Sequence, residues 1–401
     1  MNKPLTDMRI LLMFMTSTEH SARIQNELRI LRANGAKVDL VSTLPNKKSQ
    51  NLFDRIHQVS NFENFTFLAE SNRLGSFIGG LSKLLLAIMC KFDIGKGAQV
   101  TSSDLSEFLI ERGKDYDVWW AYDALALPSA ALALGSLTEE RPRLVYETQD
   151  LVPEYTIQID LSQFRKRWEK RYIQEIDALI TAGEAYKDYY IEQFPQCSAA
   201  QNALVWPNFA IPVLEPRASL SHPRSFVFYG NIAPDRPIRQ ILEAFSELDD
   251  RCTLTLIGEN RIGDLLDKYI LDFGLEDRVS CIGRIEASEG VCSISSFDFG
   301  IVALEGANEN ERRAPTSKLG TYLSAGLGII ASDLPGIRKQ AGKDLNALFV
   351  SGSSSTNWGN AFLTASNLTD SELMKMKKSS HKRALQIAQS LDESVYVNVF
   401  E

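Results

Sequence analysis

At 401 residues, 44% hydrophobic and 23% charged, the chain is too long for one ordinary core and too apolar for a disordered one, which points to about two globular domains. A formal net charge of −8 argues against a general nucleic-acid binder, so basic residues matter only where they cluster. The five cysteines (Cys90, Cys197, Cys252, Cys281 and Cys292) lack C-x-x-C spacing, which suits buried thiols in a reducing cytoplasm better than a disulfide frame or a zinc site.

The first element is a strand from Met8 to Phe14, whose apolar run is far too short for a secretory signal. A polar turn with Glu19 and His20 follows, then a helix from Ala22 to Ala33 closed by Asn34-Gly35, and a strand from Val38 to Ser42. This β-α-β opening has the connection lengths of a parallel sheet. Its first turn contains no glycine, so a G-x-G-x-x-G dinucleotide fingerprint is missing where it would have to stand. The apolar stretch Phe77 to Phe92 is shorter than the roughly 20 residues needed to span a bilayer. Two readings fit it: a helix resting on a membrane with Lys83, Lys91 and Lys96 near headgroups, or a helix packed on a sheet.

Tyr116 to Ala121 reads as a strand, Leu127 to Leu134 as a helix, and Leu144 to Tyr146 as a strand that delivers a loop from Glu147 to Glu154. That loop, with Gln149 and Asp150, is either solvated or placed to meet substrate at the carboxyl end of a sheet. A charged helix (Gln163 to Ile176), a strand (Ala178 to Ala182) and a tyrosine-rich helix (Glu184 to Phe194) complete the first half. Four prolines between Pro207 and Arg224 mark a linker, giving domains at 1–206 and 225–385 and a tail at 386–401 that returns to the first domain.

The second half repeats the architecture. Strands at Ser225 to Tyr229, Thr253 to Ile257, Val279 to Cys281 and Phe297 to Leu304 alternate with helices at Pro237 to Leu248 and Ile262 to Phe273. The first three strands stop at Gly230-Asn231, Gly258-Glu259 and Gly283-Arg284-Ile285, as expected where backbone lines a nucleotide crevice. From Glu311 to Ile337 the text is E-R-R-A-P-T-S-K-L-G-T-Y-L-S-A-G-L-G-I-I-A-S-D-L-P-G-I. It reads as a basic loop (Arg312, Arg313, Lys318), a helix starting near Thr316-Ser317, a buried strand, and the turn Leu334-Pro335-Gly336. A helix start with positive charge around it attracts phosphate. The closing helices are Thr356 to Leu368 and Asp370 to Leu391, followed by Val395 to Phe400.

The G-N-I turn, the L-x-L-I-G strand, D-R-V-S-C-I-G-R-I and above all the 314–337 segment resemble the retaining GT-B glycosyltransferases (glycosyltransferase family 4-like) over most of residues 8 to 390. The resemblance implies an α/β fold of GT-B type, two Rossmann-like domains facing each other across a cleft. It also implies a metal-independent, retaining transfer of a sugar from a nucleotide-sugar donor, with no cofactor. By resemblance, Lys318, Thr316 and Ser317 contact phosphate, and Asn231 and Arg236 stand where an arginine and a lysine are usual. Gly230, Glu259, Arg284, Ile285, Arg312 and Arg313 complete the donor wall. The expected catalytic set is Lys318, Arg236, Gln149 and Asp150, with Glu19, His20 and Glu154 on the acceptor side.

Three positions depart from the family pattern. Thr321 replaces a glutamate that grips ribose, Arg313 replaces an acid, and Gln149 replaces a histidine. Arg313 and Thr321 together suggest an atypical donor, such as a CMP-linked acidic sugar. The expected acceptor is a saccharide or lipid-linked saccharide in surface polysaccharide synthesis, at the inner face of a bacterial plasma membrane. The alternatives are an inactive GT-B module that binds a partner and, ranked lower, a nucleotide-sugar epimerase.

Overall fold

The computed structural model describes residues 5–14, 22–42, 53–58, 65–68, 99–122, 124, 126–137, 141–151, 169–210, 212–218, 223–286 and 289–401. Glu19, His20, Glu154 and the stretch Phe77 to Phe92 lie outside them. No described helix is long and apolar enough to cross a membrane. The chain divides into two compact units, Met1–Ala182 with Tyr186–Trp206 and Asp392–Glu401, and Gly183–Ala185 with Pro207–Leu391.

The first unit is built on a seven-stranded sheet of β1 (Arg9–Phe14), β2 (Lys37–Ser42), β3 (Ile56–Gln58), β6 (Val118–Ala121), β7 (Arg143–Thr148), β8 (Ala178–Thr181) and β9 (Leu204–Val205). They lie in the order β3-β2-β1-β6-β7-β8-β9, each parallel to its neighbour. Strands covered on both faces carry near-continuous apolar text, and β1, R-I-L-L-M-F, buries all but its first residue. A separate antiparallel pair joins β4 (Phe65–Leu68) to β5 (Gln99–Ser102). The helix Ala22–Ala33 seats Ile24, Leu28 and Leu31 in the core and ends before Gly35, which holds φ 101°.

The last ten residues belong to this unit. The helix Glu393–Asn398 brings Tyr396 onto Trp206 (centroids 4.6 Å), and Phe400 meets Trp120 edge-on at 5.2 Å. Arg143 Nε donates to the Val399 carbonyl at 2.9 Å.

The second unit carries a six-stranded parallel sheet of β10 (Ser225–Tyr229), β11 (Thr253–Ile257), β12 (Val279–Ile282), β13 (Phe299–Val302), β14 (Gly328–Ser332) and β15 (Leu348–Val350). The order is β12-β11-β10-β13-β14-β15. Side chains alternate across it. Phe226 and Phe228 of β10 join Phe245, Trp358 and Phe362 on one face, while Val227 joins Leu319, Tyr322 and Ile329 on the other. In both sheets the first strand sits at the middle and the order runs outward in two directions, which creates a switch point between β1 and β6 and another between β10 and β13.

Several elements differ from the sequence reading. The turn at Leu334-Pro335-Gly336 is the start of a helix, Pro335–Ala341, because proline at a first helical position has no N–H to lose. Glu147 is not a loop residue: it lies in β7 and is fully buried. The basic loop before Lys318 contains a short helix, Glu309–Arg313. The described residues 207–210 and 212–218 are strapped to the second unit, with Leu214 N on the Ser324 carbonyl (2.7 Å), Ser324 Oγ on the Ala210 carbonyl (2.7 Å) and His381 Nδ1 on the Leu214 carbonyl (2.8 Å). Of the expected buried thiols, Cys197 and Cys252 are buried, whereas Cys281 and Cys292 are exposed.

Candidate active site

At the switch point of the second unit, β10 and β13 pair at Phe226 with Phe299 and at Val227 with Gly300. Beyond that pairing Tyr322 bridges the two strands. Its hydroxyl accepts from Tyr229 N at 2.7 Å and donates to the Ile301 carbonyl at 3.1 Å. Its ring presses on Gly300, where a Cβ would stand 2.4 Å from the ring. The two strands are thus held apart by a side chain, and their backbone groups stay satisfied.

Just past β10, Gly230 has φ 138°, and past β11 Gly258 has φ 151°, values that only glycine adopts readily. A Cβ on Gly258 would fall 2.1 Å from the Gly230 carbonyl oxygen, and one on Gly230 would fall 2.2 Å from Lys318 Cε. The lysine stem therefore lies directly across bare backbone. Its ammonium sits 5.6 Å from the centroid of the Phe228 ring.

Lys318 comes from the first turn of the helix Ser317–Ser324. Thr316 caps that helix, its side chain accepting from Lys318 N at 3.2 Å. The cap is fixed in turn by Gln340, which accepts from Thr316 N at 2.8 Å and donates to the Thr316 carbonyl at 3.0 Å. Gly336 supports the preceding loop, because a side chain there would collide with the Arg313 and Ala314 carbonyls.

Burial, and after it the nearby Arg236, lower the Lys318 ammonium from 10.5 to about 8; Asp235 acts in the opposite sense. Asp235 is itself paired with Arg236 at 3.1 Å. Among the described residues, the Lys318 ammonium makes no hydrogen bond or ion pair. The result is a desolvated cation beside a second cation, with no anion bound to it among the described residues.

Of the residues expected on the donor wall, the structure brings Gly230, Asn231, Arg236, Thr316, Ser317 and Lys318 to this end of the sheet. Arg284 and Ile285 follow β12, and the Arg284 charge reaches Tyr229, whose hydroxyl burial raises. Glu259 is on the surface, in an ion pair with Arg261 at 2.8 Å. Arg312 is exposed on the helix Glu309–Arg313. Arg313 is ion-paired with Glu309 one turn earlier, so its positive charge is matched locally. Thr321 is buried and donates to the Ser317 carbonyl at 3.0 Å. Among the described residues, no group of three or more His, Cys, Asp or Glu side chains is disposed to hold a metal ion.

No protein-family model and no curated protein sequence matches the chain. Solved structures match over nearly its whole length. HepE from Anabaena, in complex with UDP and glucose, superposes with a TM-score of 0.62 at 14% identity, covering 96% of this chain and 99% of that one. The sucrose-phosphate synthase from Thermosynechococcus elongatus gives 0.61 at 14% identity over 98% and 99%. A point mutant of TarM from S. aureus gives 0.63 at 12% identity over 98% and 100%. These neighbours are GT-B glycosyltransferases. The chain has the GT-B fold.

In the first GT-B unit, Gln149 and Asp150 stand at the carboxyl end of β7. Gln149 Nε2 donates to Glu147 Oε1 at 2.8 Å, and Asp150 is a hydrogen-bond partner of the Tyr186 hydroxyl. Beneath them lies a charged cluster that sequence reasoning missed. Arg23 reaches Glu147 Oε1 through Nη2 (2.6 Å) and Nε (3.0 Å), lies 2.8 Å from Glu27, and donates to the Trp206 carbonyl. Nothing local in the sequence joins Arg23 to Glu147. The Gln340 clamp was missed for the same reason, whereas Gly258 was visible as a glycine closing a strand.

Proposed function

We propose that the chain is a glycosyltransferase that moves a sugar from a nucleotide-sugar donor to a saccharide or glycolipid acceptor. The observation that carries this reading is the Lys318 ammonium: desolvated, without an acidic partner among the described residues, and lying on a glycine backbone at a helix start. A buried cation is costly without an anion, and a donor phosphate supplies one. The ligand chemistry of the neighbours supports the choice, since HepE was solved with UDP-glucose and TarM with UDP and the saccharide fondaparinux.

In this reading the diphosphate rests on Gly230 and on the first-turn N–H groups of the helix Ser317–Ser324. As the bond from sugar to phosphate breaks, negative charge grows on the departing phosphate, and Lys318 and Arg236 stabilise it where it forms. Positioning does the rest. The resemblance to the retaining enzymes is what adds a retaining, metal-independent transfer to this reading. The Arg313–Glu309 pair removes one of the two motives for an acidic-sugar donor. Thr321, with no carboxylate to hold a ribose, remains as the other. Surface polysaccharide synthesis at the inner membrane face is the setting we propose.

A screen of nucleotide sugars for released nucleotide tests the reading, with calorimetric titration of UDP, GDP and CMP to fix the base and phosphate count. Release from at least one donor is expected. Nucleotide binding without release from any donor would favour the inactive-module reading, which Thr321 and Gln149 motivate.

A further inference from the structure

Two side chains of one helix meet the end of β10. Lys318 and Tyr322 stand four residues apart in Ser317–Ser324, one turn along the same face. Lys318 lies across Gly230, and Tyr322 reaches Tyr229, the residue before it.

The register shows what the tyrosine replaces. β10 and β13 pair at Phe226 with Phe299 and at Val227 with Gly300, and no further. Two residues on, the same register would set Tyr229 beside Val302 and bring the Tyr229 N–H onto the Ile301 carbonyl. The Tyr229 N–H does face β13, because Gly230 N, the next along the strand, donates to the Ile257 carbonyl of β11 on the other side at 2.8 Å. The Tyr322 hydroxyl stands in that place instead, accepting from Tyr229 N at 2.7 Å and donating to the Ile301 carbonyl at 3.1 Å. It is spliced into the ladder, so two hydrogen bonds span a gap that one bond of about 2.9 Å would close. The ring enters only because residue 300 is glycine, since a Cβ there would stand 2.4 Å from it. Tyr322 is fully buried, so bulk water does not stand in for its hydroxyl.

The gap opens where β10 gives way to Gly230. That glycine is also fixed from β11, by its N–H on Ile257 and by the close approach of Gly258 to its carbonyl. Held from both sides, the turn has one position, and the Lys318 stem crosses it there.

We infer that Tyr322 is a positioning residue: by standing in for a ladder bond, its hydroxyl holds the β10–β13 crevice open and fixes the Gly230 turn under Lys318, which sets the seat of a nucleotide phosphate. The assignment rests on the nucleotide-binding part of the glycosyl-transfer reading and lies wholly within the second unit. Tyr322 touches no ligand in it and acts through Gly230 and Lys318.

Tyr322→Phe keeps the ring against Gly300 and removes only the hydroxyl. Two buried backbone groups then lose their partner, and the direct ladder bond is their remedy. Closing it draws the end of β10 towards β13 and takes the turn from under Lys318. Two readings of the full chain test this. In the ligand-free protein, the NMR titration of the Lys318 side chain, assigned by its absence in Lys318→Arg, should move up from about 8 towards the ordinary 10.5, while Arg236 and Asp235, the charged groups that act on it, are unaltered. By calorimetry, affinity for the nucleotide that the wild type binds should fall by about 10-fold or more. Phe362→Leu, in the core on the opposite face of the sheet, is the control: it should lower the melting temperature and move neither reading. A Tyr322→Phe protein that melts lower yet keeps the wild-type Lys318 titration and the wild-type affinity would overturn the proposal.

If Tyr322→Phe does not fold, Tyr322→4-aminophenylalanine carries the test, because its amine still donates to the Ile301 carbonyl but accepts poorly from Tyr229 N. Shifts of both readings in the same directions support the proposal, and wild-type values overturn it. A wild type that binds none of UDP, GDP and CMP would instead overturn the nucleotide reading. The Lys318 titration needs no ligand and still decides whether Tyr322 places the lysine: a titration moved by Tyr322→Phe supports it, and an unmoved one refutes it.

Discussion

The two units share a strand order and treat buried charge in opposite ways. In the first, Arg23 is enclosed by Glu147, Glu27 and the Trp206 carbonyl. In the second, Lys318 is desolvated next to Arg236, and Asp235, the acid whose charge acts on it among the described residues, is already paired with that arginine. A satisfied cluster holds shape, since its charges are already matched within the fold. An unsatisfied cation costs stability until an anion arrives, and such a cost persists where binding requires it. In the proposed reading, one cluster is structural and the other is where a ligand anion would bind.

The sharpest way to break the comparison is Lys318→Ala. If Lys318 stabilises leaving-group charge, turnover should fall by roughly 100-fold, the usual cost of removing one such donor. Because the lysine has no anionic partner to leave behind among the described residues, the melting temperature should hold or rise. An unchanged rate would remove Lys318 from the chemistry and make the two units alike in kind.

Next in size is Gly230→Ala. The added Cβ would stand 2.2 Å from Lys318 Cε at a backbone φ of 138°, so the stem must move and the backbone is strained. Nucleotide affinity measured by calorimetry should fall by about 10-fold or more, with stability reduced by about 1–3 kcal/mol. Full affinity in this variant would show that the glycine serves only the turn.

How far these sites were legible in the sequence follows from the range of the contacts that build them. Strands such as Arg9–Phe14 and the helix Ala22–Ala33 were readable because burial writes itself as local runs and periods. The three-residue strands Ile56–Gln58 and Leu348–Val350 are too short to carry a period. The helix Pro335–Ala341 was hidden by a proline and a glycine that suit a turn equally well. Gly230 and Lys318 stand out in the sequence because a glycine at a strand end and a cation at a helix start are local signals with a physical cause, and the fold lays one across the other. Arg23 with Glu147, and Gln340 with Thr316, are partners only in the folded chain, 124 and 24 residues apart. The charge of Arg313 was legible, but its neutralisation by Glu309 needs a five-residue helix, too short to announce itself by a period.

A third experiment sharpens the contrast by pH. In the free protein the Lys318 ammonium is lost as pH rises through about 8, well below the ordinary lysine value. Folding therefore releases a proton between about 8 and 10.5, so Lys318 makes stability rise with pH in that window. Binding runs the other way. An anion needs the ammonium, so nucleotide affinity should weaken above pH 8 towards a limit of about tenfold per unit. Lys318→Arg, always charged, should flatten the profile even if it binds less well. A wild-type affinity that does not change between about pH 7 and pH 9.5 would show that the ligand does not meet this ammonium.

The smallest effect comes from the satisfied cluster. Burial and Glu147 raise the Glu27 carboxyl well above its ordinary value, so the folded protein holds a proton that the unfolded chain gives up above about pH 4.5. Stability from this group is complete below that pH and declines as pH rises towards the folded-state value. Glu27→Gln is neutral throughout and close to the same shape, so its melting temperature should match the wild type near about pH 5 and exceed it at about pH 8. A gain of about 2–4 °C is expected for each kcal/mol of relief in a unit of this size. A variant that melts lower than the wild type at every pH would mean that Glu27 is ionised in the fold and shares the charge of Arg23 with Glu147.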